Sequence, residues 1–253
     1  MIDLHCHLLP CVDDGPSTLA ESVSLAAASL RDGVQVLAST PHVREDHPNV
    51  IPNELAGRCE ALRTTLADGG LDLEIVCAGE VDLSWAMSAS DEDLRLVTYG
   101  GRGTDVLLET PYGMLPPGFE ERVFERFTLR GMRVLLAHPE RSATFQSEPE
   151  RIRGLVDRGI LVQVTAQSLL RRGSSRSRTV ARWLIKEGLA HVIASDAHGE
   201  GSRPRLVDAV EAAARIDPGR ANWMVTEAPA AVLAGVPVGN PPQTGGRRWR
   251  HRL

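Results

Sequence analysis

The chain has 253 residues, 42% of them apolar and 4% aromatic, with a formal net charge of -5. That length suits one domain of barrel or large α/β type around a mostly aliphatic core. The acidic balance argues against nucleic acid as the main partner, because a phosphate-backbone binder presents a basic surface. No stretch approaches the ~20 apolar residues of a membrane span, and Asp3 and His5 break the N-terminal apolar run of any signal peptide. The four cysteines, Cys6, Cys11, Cys59 and Cys77, form no C-x-x-C pair, so a reduced, cytoplasmic setting is expected.

In chain order, seven Val/Ile/Leu-rich runs read as strands: 2–8, 34–40, 73–79, 105–109, 133–137, 161–165 and 191–195. They are continuously apolar, as parallel strands covered on both faces are. Helix patterns fill the gaps. Thr18-Leu19-Ala20-Glu21 is a capping box opening a helix that stops near Gly33. Further helices are predicted over 53–67, 120–129, 149–157, 179–187, 203–216 and 222–233. Strand-then-helix repetition points to a parallel β/α architecture, and seven equivalent strands fit a closed or distorted barrel better than an open sheet. The reading is one domain over 1–238, followed by a basic tail over 239–253 that is expected to be mobile.

The ends of these strands carry the reactive side chains. His5 and His7 close the first, His42 follows the second, Glu80 follows the third and Glu109 ends the fourth. His138 follows the fifth, and Asp196 and His198 follow the last. In β/α barrels the C-terminal strand ends form the active face, so these groups would meet at one mouth. Residues i and i+2 of a strand point the same way, so each of the pairs His5/His7 and Asp196/His198 can hold one ion. An isolated H-x-H is weak evidence, but two pairs with four more candidate ligands at other strand ends are not. Imidazole mixed with carboxylate and no thiolate suits Mn, Fe or Zn, and several carboxylates imply more than one ion. Cys6, between the two histidines, should point away from the metals.

Two further features bear on chemistry. Asp13-Asp14-Gly15 follows the first strand; one aspartate can cap or support the turn, and the other is free to act as a ligand or in proton transfer. Arg141 lies three residues beyond His138, where a guanidinium suits a phosphate gripped through two hydrogen bonds. The bland alternative is a surface pair of Arg141 with Glu140 or Glu148. No cysteine is followed by five residues and an arginine, and there is no phosphate loop or nucleophile elbow.

Together these residues resemble the PHP (polymerase and histidinol phosphatase) superfamily. The run from His5-Cys6-His7 through Asp13-Asp14-Gly15-Pro16 is similar to that of bacterial PHP-type protein-tyrosine phosphatases encoded with capsule and exopolysaccharide genes. The likeness continues through Thr40-Pro41-His42, Gly79-Glu80, Glu109-Thr110-Pro111, Ala137-His138-Pro139-Glu140-Arg141 and Ser195-Asp196-Ala197-His198. The resemblance implies a distorted (β/α)7 barrel with three divalent ions, often Mn. It implies one ion on His5, His7, Glu80 and Asp196, with Glu80 bridging to a second on Glu109 and His138. The third would sit on Asp14, His42 and His198, which selects Asp14 over Asp13. Arg141 matches a phosphate-binding arginine. The implied reaction is hydrolysis of phosphotyrosine on a tyrosine kinase of polysaccharide export, by a water whose pKa the ions lower. Cys11 departs from the pattern, which has glycine there, and the loop 83–93 has no counterpart in it.

Rival readings are a phosphatase of histidinol phosphate or another small phosphomonoester, a non-catalytic metal-binding module, and a nuclease. The Asp13-Asp14-Gly15-Pro16 loop argues against the first, intact ligands at nearly every strand end against the second, and the acidic balance against the third.

Overall fold

The computed structural model describes residues 1–170 and 174–241. The basic run expected as a mobile tail lies, from residue 242 on, outside the described residues.

Nine parallel strands carry the fold: β1 (Ile2–Cys6), β2 (Val36–Ser39), β3 (His42–Val43), β4 (Glu74–Cys77), β5 (Glu80–Val81), β6 (Asp105–Glu109), β7 (Arg133–Ala137), β8 (Leu161–Thr165) and β9 (Val192–Ala194). One sheet has the order β1-β2-β4, the other β3-β5-β6-β7-β8-β9. The architecture is therefore α/β with parallel strands, as the continuous apolar runs predict. All five strands predicted from 2–8, 105–109, 133–137, 161–165 and 191–195 are present.

The runs 34–40 and 73–79 hold β2 and β4, and a further two-residue strand that the sequence did not suggest, β3 or β5, follows just past the end of each. Pro41 lacks an N–H and interrupts the ladder. The backbone steps across the break: Ala78 N donates to Ser39 O at 3.0 Å and Glu80 N to Pro41 O at 2.9 Å. His42 and Glu80 thus open the short strands β3 and β5 and pair directly in register. Gly79 permits the step, since a Cβ there would stand 2.4 Å from Val43 Cγ2. At the other side, Asp196 N donates to His5 O at 2.8 Å, and His7 N to Ala197 O at 2.9 Å. The buried Asp3 carboxylate accepts from Ser195 N at 3.0 Å. These bonds hold the end of β9 against the end of β1.

The helices cover the strands. Thr18 caps the helix Leu19–Arg31 by accepting from Glu21 N at 3.2 Å. Glu21 reaches back one residue further than a capping box predicts, accepting from Ser17 N. Just past that helix's end stands Gly33, whose φ of +86° an L side chain adopts only with strain. The helix predicted over 179–187 is longer, Ser175–Lys186, because the Ser174 side chain caps it by accepting from Ser177 N. The helix expected over 203–216 spans Leu206–Ala214. The one expected over 222–233 is two, Pro218–Trp223 and Glu227–Ala234, with Asp217 capping the first. The loop 83–93 contains the helices Leu83–Ser88 and Asp91–Leu96, capped by Asp82 and Ser90. One apolar cluster collects Leu4, Ala38, Ala78, Leu107, Leu135 and Ala194 from one face of the strands. The larger cluster packs the other face against helix residues such as Leu25, Leu62 and Leu184, each worth about 1.5–3 kcal/mol on burial.

Candidate metal centre

Nine side chains predicted as ligands come together at the C-terminal strand ends. Among the described residues their donor atoms form four overlapping groups, each within 4.8 Å: His5/His7/Asp196, His5/Glu80/His138, His42/Glu80/Glu109 and His7/Asp14/His42/His198. The grouping differs in detail from the sets the resemblance implies: Glu109 gathers with His42 rather than His138, and His7 joins the Asp14 group. Glu80 at the centre links three of the elements. Its Oε2 is 3.2 Å from His5 Nε2, 3.4 Å from His7 Nε2 and 3.0 Å from His42 Nδ1. Its Oε1 is 2.8 Å from His138 Nε2.

Two histidines are aimed by partners behind them. His5 Nδ1 is 3.1 Å from Gln163 Oε1, and His7 Nδ1 is 2.7 Å from Asp13 Oδ2. With Nδ1 donating, each ring turns its Nε2 lone pair inward, and the two Nε2 atoms stand 3.3 Å apart. Two lone pairs facing a carboxylate at that range repel unless a proton or a cation lies between them. Fully buried Glu80 Oε2, with His42 Nδ1 and His138 Nδ1, has no hydrogen-bond partner. Orphaned buried polar atoms are costly, and this donor set of imidazoles and carboxylates fits divalent ions.

The electrostatics agree. Burial disfavours protonated His5, yet Glu80 and Asp196 push it up to about 9. His7 is likewise raised against burial, by Asp13, Asp196 and Glu80. Glu80 is buried, but His5, His138 and His42 hold it well below the usual carboxylate range. The half-exposed Asp14 is depressed by its hydrogen bond to His198, whose Nε2 is 3.3 Å away. Positive charge is thus in demand throughout the cluster, and metal ions meet that demand by displacing protons.

The supporting backbone is strained where it turns into the site. His138 at φ +37° and Asp196 at φ +53° are two of the three non-glycine residues with positive φ among those described. Such conformations cluster where a scaffold forces a side chain into position.

At the rim, Arg141 donates to Asp196 Oδ2 and lies 4.6 Å over the Tyr112 ring. The alternative surface pair is overturned: Glu140 is fully buried and accepts from Thr165 N, and Glu148 pairs with Arg151. The mouth is a cavity of about 480 Å³ whose lining includes Asp14, His42, Glu109, Arg141, Asp196 and His198. Cys6 points away, into the apolar core, with Sγ toward Ala197 O.

The family profile described as "Capsular polysaccharide synthesis, CpsB/CapC" matches residues 1–234. The chain belongs to the CpsB/CapC family. It is 30% identical over 207 residues to the tyrosine-protein phosphatase YwqE of Bacillus subtilis, covering 80% of this chain and 79% of the relative. It is 27% identical over 216 residues to the tyrosine-protein phosphatase CpsB of Streptococcus agalactiae serotype III, covering 81% and 85%. Among solved structures it is similar to one from the crystal structures of YwqE from Bacillus subtilis and CpsB from Streptococcus pneumoniae, described as metal-dependent tyrosine phosphatases. That match has a TM-score of 0.84 at 23% identity and covers 96% of this chain and 100% of the other.

For this CpsB/CapC chain, sequence reasoning missed the groups behind and beside the ligands. Asp13 also accepts from His42 N at 3.0 Å and Gly15 N at 3.0 Å, so it ties His7, the first loop and β3 together. Its place beside Asp14 was the available signal, but adjacency does not say which carboxylate turns inward. Gln163, mid-strand in an apolar run, was detectable as the one amide in β8. Arg44 holds Glu109 at 3.3 Å, and His47 stacks on His42 at 5.3 Å. No spacing pattern marks either.

Proposed function

We propose that this chain is a metal-dependent protein-tyrosine phosphatase. The observation that carries it is the convergence of nine ligand-type side chains in overlapping groups around a buried Glu80 whose Oε2 is left without a hydrogen bond, with Arg141 at the rim. In this reading His5, His7, Glu80 and Asp196 hold one divalent ion; Glu109 and His138 complete a second that shares Glu80; and Asp14, His42 and His198 hold the third. Mn is the first choice of metal, with Fe or Zn as alternatives. When bound, such ions polarise the phosphoryl group and activate a water as nucleophile. Arg141 grips the phosphate through its paired N–H groups and offsets charge on the equatorial oxygens. Its stacking on Tyr112 and its bond to Asp196 orient it for that role. Asp14, half-exposed at the mouth and held ionised by His198, suits a ligand role; the leaving phenolate would take its proton through Asp14 or from a water held by the ions.

The same reading takes the strands as a closed, distorted (β/α)7 barrel in one domain over 1–238. Supporting it are the bonds that join the end of β9 to β1 and the apolar cluster to which nearly every strand contributes. No helix among the described residues is long and apolar enough to cross a membrane. A cytoplasmic tyrosine kinase of polysaccharide export is the proposed substrate protein.

The test is turnover by the Mn-loaded protein of a phosphotyrosine peptide, an aryl phosphate and histidinol phosphate, with and without chelator. Hydrolysis of the first two that chelator abolishes and Mn restores is expected. Chelator-insensitive hydrolysis, or a strong preference for histidinol phosphate, overturns the reading.

A further inference from the structure

Away from the mouth, most arginines are held by carboxylates, such as Arg126 by Asp91, Arg133 by Asp105, Arg151 by Glu120 and Arg203 by Asp32. Arg178, Arg182 and Arg215 are different. Among the described residues none of the three is in an ion pair, yet all three line one cavity of about 570 Å³. Glu187 pairs with Arg153 and Asp208 with Arg205, and among the described residues Glu211, one turn before Arg215, forms no ion pair with it. Arg178 and Arg182 stand one turn apart on the helix Ser175–Lys186, while Arg215 caps the helix Leu206–Ala214. In a chain of net charge -5, three uncompensated guanidiniums around one hollow make a local positive potential. Its complement is a carboxylate- or phosphate-bearing segment.

The short helix Ala166–Leu169, which follows β8, connects this hollow to the metal mouth. Gln167 lines the mouth and also a polar cavity of about 300 Å³. Ser168 lines the polar cavity with Ser174 and Ser177, and Leu169 lines the basic one. Three successive residues of one turn therefore border three hollows. A helix with side chains is about 10–12 Å across. An extended polypeptide needs at least about three to four residues to cross that width.

We propose that Arg178, Arg182 and Arg215 form a docking surface for an acidic segment of the protein substrate, roughly three to six residues from its phosphotyrosine. This rests on the phosphatase reading above. Catalysis on the phosphoryl group itself needs none of these arginines, so small substrates ignore them.

The experiment uses the Mn-loaded full chain and three substrates: an aryl phosphate, a phosphotyrosine peptide with glutamates three to six residues away, and its serine counterpart. Wild type is expected to show a KM about fivefold lower for the acidic peptide at low salt, the preference fading as ionic strength rises. Arg178→Glu combined with Arg182→Glu and Arg215→Glu should erase the preference and leave aryl phosphate turnover unchanged. The milder Arg182→Ala and Arg215→Ala, both at exposed positions, should halve it or more without a change in melting. Arg122→Glu, exposed on another helix, matches the charge change of any one of the three reversals and should leave the preference intact. Equal KM for both peptides in wild type, or a preference that survives the triple substitution, overturns the docking surface while leaving the phosphatase reading standing. Hydrolysis of none of the three substrates overturns both. Loss of binding to anionic vesicles in the triple variant, with the peptide preference kept, assigns the surface to a membrane and overturns the peptide assignment.

Discussion

Replacing Asp13 by asparagine keeps the size of the side chain and removes its charge. The carboxylate receives His7 Nδ1 at 2.7 Å, His42 N at 3.0 Å and Gly15 N at 3.0 Å. An asparagine has one oxygen, so its amide group must face at least one of those donors. Hydrogen bonds to charged acceptors contribute about 1.5–3 kcal/mol, and a buried donor left without a partner costs about 1–3 kcal/mol. The variant should therefore lose about 3 kcal/mol, lowering Tm by roughly 6–12 °C in a chain of this size. His7 also loses the partner that turns Nε2 toward Glu80 and Asp196. Losing such an orienting group typically weakens metal binding by about 10–100-fold. Titrating Mn into chelated protein, followed by melting and by aryl phosphate turnover, measures both effects. The Mn midpoint should rise by that factor, and turnover at saturating Mn should recover to within a few-fold of wild type. An unchanged midpoint would refute the assignment of Asp13 to holding His7. Turnover that stays low at saturation would instead place Asp13 in the reaction.

Arg141→Ala should cut turnover of a phosphotyrosine peptide by about 10²–10³-fold. Arg141→Lys should recover only part of it in the same assay, because a lysine cannot grip in bidentate fashion. His191 is pushed down from 6.5 to about 4, by burial first and then by Arg220. Its Nδ1 also accepts from Val162 N. The unfolded chain therefore takes the proton more readily, and this contribution to stability is full above pH 6.5 and lost as pH falls toward 4. About 2 kcal/mol should go between pH 7 and pH 5. His191→Asn, which keeps an acceptor near Val162, should flatten that part of the Tm–pH curve of chelated protein by roughly 4–8 °C; parallel curves would contradict it. Cys11 stands at φ +60°, so Cys11→Gly should gain about 1 kcal/mol in urea unfolding and Cys11→Val should lose at least as much. Equal midpoints for the three proteins would show that the loop relaxes freely.

Much of the fold could be read from the chain because its signals are local. Val/Ile/Leu runs of strand length, bounded by Gly and capping residues, report their own secondary structure whatever they pack against. The failures have local explanations too. The apolar runs stop at Pro41 and Gly79, so composition ends a strand there and misses the two-residue strands β3 and β5 with which the hydrogen-bond ladder resumes. Asp82, Ser90 and Asp217 are N-caps in plain view, but the helices they open are too short for periodicity to register.

The His5/His7 pair is the clearest division between the two levels. Sequence alone determined that both imidazoles lie on one side of the first strand, with Cys6 on the other, because alternation along a strand is a property of the backbone. It also determined that ligand-type residues recur at strand ends, since strand ends can be located without knowing the neighbours. Tertiary structure decided which carboxylate stands in the middle. Glu80 meets His5, His7, His42 and His138 from three other strand ends, and that meeting depends on sheet order and on the step at Pro41. It decided that Asp13 turns inward to His7 while Asp14 faces the mouth, and that Arg141 reaches Asp196 rather than Glu140. The physical reason is range: propensity and periodicity act over a few residues, whereas these contacts join positions up to 192 apart, as Asp3 and Ser195 are.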